Sequence, residues 1–108
     1  MDATVETLTD LAALKELLSD PDRWTQGAMA RDIDGYEVRP SNPRACRFCL
    51  VGAMWRIVGS ESLARYHRLR DAFTYKDSLT YANDKMPHSE VLSMIETDLA
   101  ALRQKVDR

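Results

Sequence analysis

Val91, Ile95, Leu99, Leu102 and Val106 follow one another at steps of four, four, three and four residues. With Leu92 at its edge, that spacing puts one apolar stripe on a single helix face. Pro87-His88-Ser89 opens this helix. The same pattern recurs near the start, where Leu8, Leu11, Leu14 and Leu18, with Leu17 beside them, mark a short amphipathic helix that ends before Asp20-Pro21. Thr7 or Thr9 is expected to cap it. Two helical stripes, only four glycines and only four prolines in 108 residues restrict the chain to a mainly α architecture.

Between the stripes, Ser41-Asn42-Pro43 supplies a cap and a first-turn proline for a helix expected from about Pro43 to Val58, stopped by Gly59. Cys46, Cys49, Leu50, Ala53, Met54 and Ile57 would line one face, and Phe48, Val51, Trp55 and Val58 would widen it. Such a helix should be central, with the C-terminal stripe packed on it. Ser60 is expected to cap a third helix from about Glu61 to Phe73, its arginines facing outward, and Thr74 to Met86 reads as irregular. Asp34-Gly35 lies between Ala28–Ile33 and Tyr36–Arg39, and Asp-Gly favours a two-residue type I′ turn. A small β-hairpin is therefore expected near 28–39, the alternative being a loop with a tight turn. The expected fold is a compact bundle of about four helices around a central one, forming a single domain over residues 1–108 with a hairpin insert.

No apolar run approaches the roughly 20 residues that span a bilayer, and Met1 to Asp10 is acidic where a secretory signal would be basic and then apolar. A cytoplasmic, non-membrane protein with free thiols is the expectation. The formal net charge of −2 hides an uneven distribution. Residues 43–76 carry seven basic side chains against Glu61 and Asp71, whereas 1–42 carry four against nine acidic ones. Pairing of this basic third with the acidic remainder is one explanation; an acidic partner or nucleic acid is the other.

Three segments stand out together: Arg23-Trp24-Thr25-Gln26-Gly27 through Asp32 and Gly35; Ala45 with Cys49-Leu50-Val51-Gly52-Ala53; and Asn83-Asp84 with Pro87 and Glu90-Val91-Leu92. In this order they resemble a family of small uncharacterised bacterial and phage proteins, over about residues 10–102. The resemblance implies a shared fold and no stated activity. Its recurrent parts are Trp24–Gly27, Cys49 with Gly52-Ala53, and Asn83-Asp84. Cys46 is not among them, and Tyr81-Ala82 stands where the family usually has a tryptophan.

The chemistry these residues could support divides four ways. Cys46 and Cys49 have half of a zinc-site spacing, with His67 and His88 the only imidazoles, but no second half exists, so neither metal nor other cofactor is expected. A cysteine enzyme would use Cys49 with His88 as base and Asn83 or Asp84 as orienting group. A nucleic-acid binder would use the basic 43–76 segment, although the arginines Arg65, Arg68 and Arg70 come late for a recognition helix starting near Ser60. A non-enzymatic binding or regulatory module, of phage or mobile-element type and acting through a protein partner, would instead present Trp24, Gln26, Asp32, Tyr81, Asn83 and Asp84. Each of these also has a structural explanation as a core plug, a hairpin brace or a turn.

Overall fold

A computed structural model describes residues 2–59 and 62–107. Five α-helices, α1 (Ala3–Leu18), α2 (Leu50–Val58), α3 (Leu63–Asp71), α4 (Leu79–Lys85) and α5 (His88–Val106), surround a core and carry a small antiparallel sheet, β1 (Ala30–Arg31), β2 (Glu37–Val38) and β3 (Arg47–Phe48). The mainly α architecture with a hairpin is as expected. Among the described residues, no helix is long and apolar enough to cross a membrane.

α1 starts five residues before its apolar stripe. Asp2, not a threonine, caps it: Asp2 Oδ1 accepts the Thr4 N–H at 2.7 Å. Thr7 and Thr9 lie inside the helix, their hydroxyls donating back to the carbonyls of Ala3 and Val5. A polar first turn has no periodicity to announce it. Leu11, Leu14 and Leu18 are fully buried, and α1 packs on α2, α3 and α5. The α5 stripe therefore packs chiefly on α1 and next on α4, more than on α2. Val91, Ile95 and Leu99 are its buried part.

The largest correction concerns Pro43–Cys49. Instead of a helix, Asn42 forms a single turn, its side chain accepting the Arg44 N–H, and the chain then runs as strand β3. Tertiary pairing decides this. Cys46 N–H and Cys49 N–H donate to the carbonyls of Arg31 and Met29, at 2.9 and 3.1 Å, so backbone groups that a helix would use internally go to β1. α2 begins only at Leu50 with Cys49 as its cap, and it ends at Gly59 (φ 78°) as expected. The helix then presses on β1 so closely that a Cβ on Gly52 would stand 1.8 Å from the Met29 carbonyl oxygen. Only glycine fits there.

Sheet order is β2-β1-β3, with Ala30 opposite both Val38 and Phe48, and Arg31 opposite both Glu37 and Arg47. Ala30 and Phe48 face the core; Glu37 and Arg47 are exposed. The hairpin exists but its turn differs from the two-residue expectation. Gly35 N–H bonds to Asp32 O, Asp32 N–H bonds to Tyr36 O, and only Gly35 has positive φ, at 87°. That is a three-residue loop ending in a left-handed glycine, which an Asp-Gly pair serves equally well.

α3 is shorter than expected, and its proposed cap, Ser60, lies outside the described residues together with Glu61. Its arginines do not simply face solvent. Arg65 forms a two-pronged pair with Asp10 of α1 (2.8 and 2.5 Å), Arg68 bonds Glu6, and Arg70 holds the carbonyls of Tyr75 and Asp77. The Thr74–Met86 segment is irregular only to Ser78. There the Ser78 hydroxyl accepts the Tyr81 N–H and starts α4, a seven-residue helix too short to show a stripe.

Candidate functional site

α4 brings Asn83 to the start of α2, and this fully buried amide joins the three separated segments. Its Oδ1 accepts from the Trp24 indole Nε1–H at 2.6 Å and from the Leu50 N–H at 3.1 Å. Its Nδ2 donates to the Thr25 carbonyl at 3.0 Å. The Gln26 side chain in turn donates to the carbonyls of Asn83 (3.0 Å) and Met86 (3.1 Å), and Asp84 accepts the Gly27 N–H at 2.9 Å. Four of the expected site residues, Trp24, Gln26, Asn83 and Asp84, thus meet in one polar clamp between the 24–27 segment and α4. Among the described residues no buried side-chain polar atom lacks a partner.

Asp32 and Tyr81 lie apart from it. Asp32 Oδ1 accepts from the N–H groups of Asp34 and Tyr36, both at 3.0 Å, and so braces the hairpin. Tyr81 is exposed on α4 with the Lys85 ammonium 5.5 Å from its ring centroid.

Cys49 and His88 are each engaged elsewhere. The Cys49 sulfur, 1% exposed, accepts the Gly52 N–H at 3.3 Å as a helix cap. Burial pushes this thiol above its ordinary value, with the Asp84 carboxylate adding to the effect, against the backbone N–H groups of Gly52 and Val51 that favour the thiolate. His88 Nε2 lies 2.6 Å from the Leu18 carbonyl, and its ring stacks obliquely on Trp24 at 5.4 Å. Protonated on Nε2 for that bond, the imidazole joins α5 to the end of α1. Cys46 points to the Arg31 carbonyl (3.6 Å). Among the described residues no group of three or more His, Cys, Asp or Glu side chains is gathered around a common point.

The basic segment is mostly occupied within the molecule. Arg56 donates to the carbonyls of Pro40 and Asn42, Lys76 to that of Asp71, and Arg65, Arg68 and Arg70 are bonded as described. Pairing with acidic side chains accounts for Arg65 and Arg68; Arg56, Arg70 and Lys76 are held by main-chain carbonyls instead.

Residues not singled out in the sequence prove prominent. Arg31 gathers the Thr25 hydroxyl and the carbonyls of Gln26 and Gly35, all at 3.0–3.1 Å, and so ties the clamp to the hairpin. At the hairpin end, Ile33 is 79% and Tyr36 71% exposed. An isoleucine beside Asp34-Gly35 was the available signal, since a purely structural turn is normally polar there.

Fold and clamp together define a small, mainly helical protein with a three-stranded sheet stitched to its helices by side-chain amides. The chain belongs to the family described as "Family of unknown function (DUF6197)", which matches residues 2–98. That agrees with the resemblance to an uncharacterised family. Comparison with curated proteins and with solved structures found no match.

Proposed function

We propose that the protein works by binding a protein partner, as a small accessory factor of phage or mobile-element type, and that the tip of the β1–β2 hairpin makes the contact. The observation carrying this is the pair Ile33 and Tyr36, the two most exposed large apolar side chains, on a hairpin held from within. Asp32 fixes the turn's N–H groups and Arg31 its Gly35 carbonyl, so little conformational freedom remains to be lost on association. Apolar anchors on a pre-organised element suit a partner's pocket. The clamp residues act behind this surface by holding the hairpin's base to α4. Catalysis by Cys49 has less support, because the thiol is buried and already bonded.

The test compares proteins that co-purify with the tagged chain and with an Ile33→Asp/Tyr36→Ser variant, expressed at native level in the source cell. One specific companion should be lost from the variant while the thermal melt is unchanged. An identical set of companions for both proteins would sink the hairpin-tip reading.

A further inference from the structure

β2 is an edge strand, with β1 on one side and no strand among the described residues on the other. Asp32 of the hairpin bonds toward Tyr36, whereas the Arg31 carbonyl bonds toward Cys46 on the β3 side. Successive residues thus serve alternate neighbours, and the same alternation holds along β2. The Arg39 carbonyl closes a turn with the Asn42 N–H at 2.9 Å; Tyr36 and Val38 direct their peptide groups to β1, and Glu37, with the N–H of Arg39, faces outward. Both of the latter side chains are exposed, and neither forms an ion pair among the described residues.

An open edge is a template for another strand, and shortness, charge and a proline are the usual deterrents. Here the charges deter most strands but complement one. We propose that the β2 edges of two copies of this chain pair antiparallel about a twofold axis at Val38, joining the two sheets into one of six strands. About that axis Glu37 lies opposite the partner's Arg39, and Arg39 opposite the partner's Glu37. In each such pair the Arg39 N–H can donate to the partner's Glu37 carbonyl while the side chains form a cross-strand ion pair; the Arg39 carbonyl keeps its Asn42 N–H and offers the partner's Glu37 N–H its second lone pair. Tyr36 falls opposite the partner's Pro40, beside a groove of about 480 Å3 that Met29, Val38, Pro40 and Asn42 help to line, open to a phenol ring. Moving the axis to residue 37 or 39 would set glutamate against glutamate or arginine against arginine, which selects the Val38 register. The two readings share Tyr36, which the second copy would cover, but not Ile33, which lies in the turn beyond the paired residues; a dimer would carry two such tips pointing in opposite directions.

Sedimentation velocity on the full chain, from low micromolar to near-millimolar concentration, tests it. The edge is small compared with a standard protein interface, so dimer should appear in the upper part of that range. Arg39→Glu, which leaves Arg31 opposite Glu37 within each copy, should raise the monomer–dimer midpoint about ten-fold, and Glu37→Arg similarly, because like charges then meet twice across the axis. The double variant Glu37→Arg/Arg39→Glu restores complementarity and should return the midpoint to within about two-fold of the parent. It also controls for folding, since it carries both changes. A chain that stays monomeric throughout, a dimer indifferent to the single swaps, or a double variant that fails to recover would each overturn the proposal. A monomer that still retains its companion in the co-purification experiment would leave the hairpin-tip reading standing.

Discussion

Asn83 joins Trp24, Thr25 and Leu50 through one buried amide, so its removal has a consequence that can be ranked. Asn83→Ala leaves an indole N–H, a main-chain N–H and a carbonyl unsatisfied, and should lower unfolding free energy by about 2–4 kcal/mol in urea titration. Trp24→Phe still leaves Asn83 Oδ1 accepting from Leu50 and should cost less from the lost bond, about 1 kcal/mol. Equal losses would show that the amide does not join the segments. Cys49 gives a pH prediction. Its folded pKa is raised above the ordinary 9.0, so the folded state holds the proton longer than the unfolded one. The stability this confers is complete below about pH 9 and is lost as pH rises through the folded value. Tyr66, also raised by burial from 10.0, acts in the same direction at higher pH. Cys49→Ser, which keeps an oxygen cap, should flatten the first part of the alkaline decline in melting temperature. Native labelling of Cys49 by a thiol reagent should be far slower than of Cys46, which is only partly buried. Rapid labelling of Cys49, slowed by changing His88, would instead revive the cysteine-enzyme reading.

α1 and α3 are held together by a carboxylate with 3% of its side chain exposed and an arginine with 32% exposed. The Asp10 carboxylate raises the Arg65 pKa further, and partial desolvation opposes that rise. Arg65→Met strands the buried carboxylate, and should cost about 2–3 kcal/mol in chemical denaturation; Asp10→Leu/Arg65→Met, with no charge left, should recover most of it. A double variant no better than the single one would mean that the pair contributes more than it costs to desolvate. The Arg68–Glu6 pair beside it is exposed, and its loss should barely register. Within α2, Trp55 stacks flat on Tyr66 of α3, ring centroids 4.0 Å apart, so the seam between these helices is aromatic where that between α1 and α3 is ionic.

Over the whole molecule, the arginines of the basic third are drawn into separate tasks instead of one surface. Arg44 and Arg47 are the members of that segment without a side-chain bond among the described residues, and both are exposed. Binding to a polyanion should therefore show a salt dependence with a log–log slope no steeper than about −2, as two phosphate contacts would give. A much steeper slope on immobilised heparin would place a larger basic face on the molecule.

Local chemistry was enough for α1, α5, the Gly59 stop and the existence of the hairpin. Apolar spacing within a few turns and the conformational freedom of glycine act wherever the chain goes. The membership of Trp24, Gln26, Asn83 and Asp84 in one set was also legible, though not that they bond one another. Tertiary contact alone decided the fate of Pro43–Cys49: its peptide groups had a helix available, but β1 lay alongside and took them, leaving Cys49 to cap α2. It likewise decided that Asn83 is buried, since an amide near the end of a seven-residue helix is costly to desolvate until partners from the 24–25 segment and from Leu50 arrive to satisfy it.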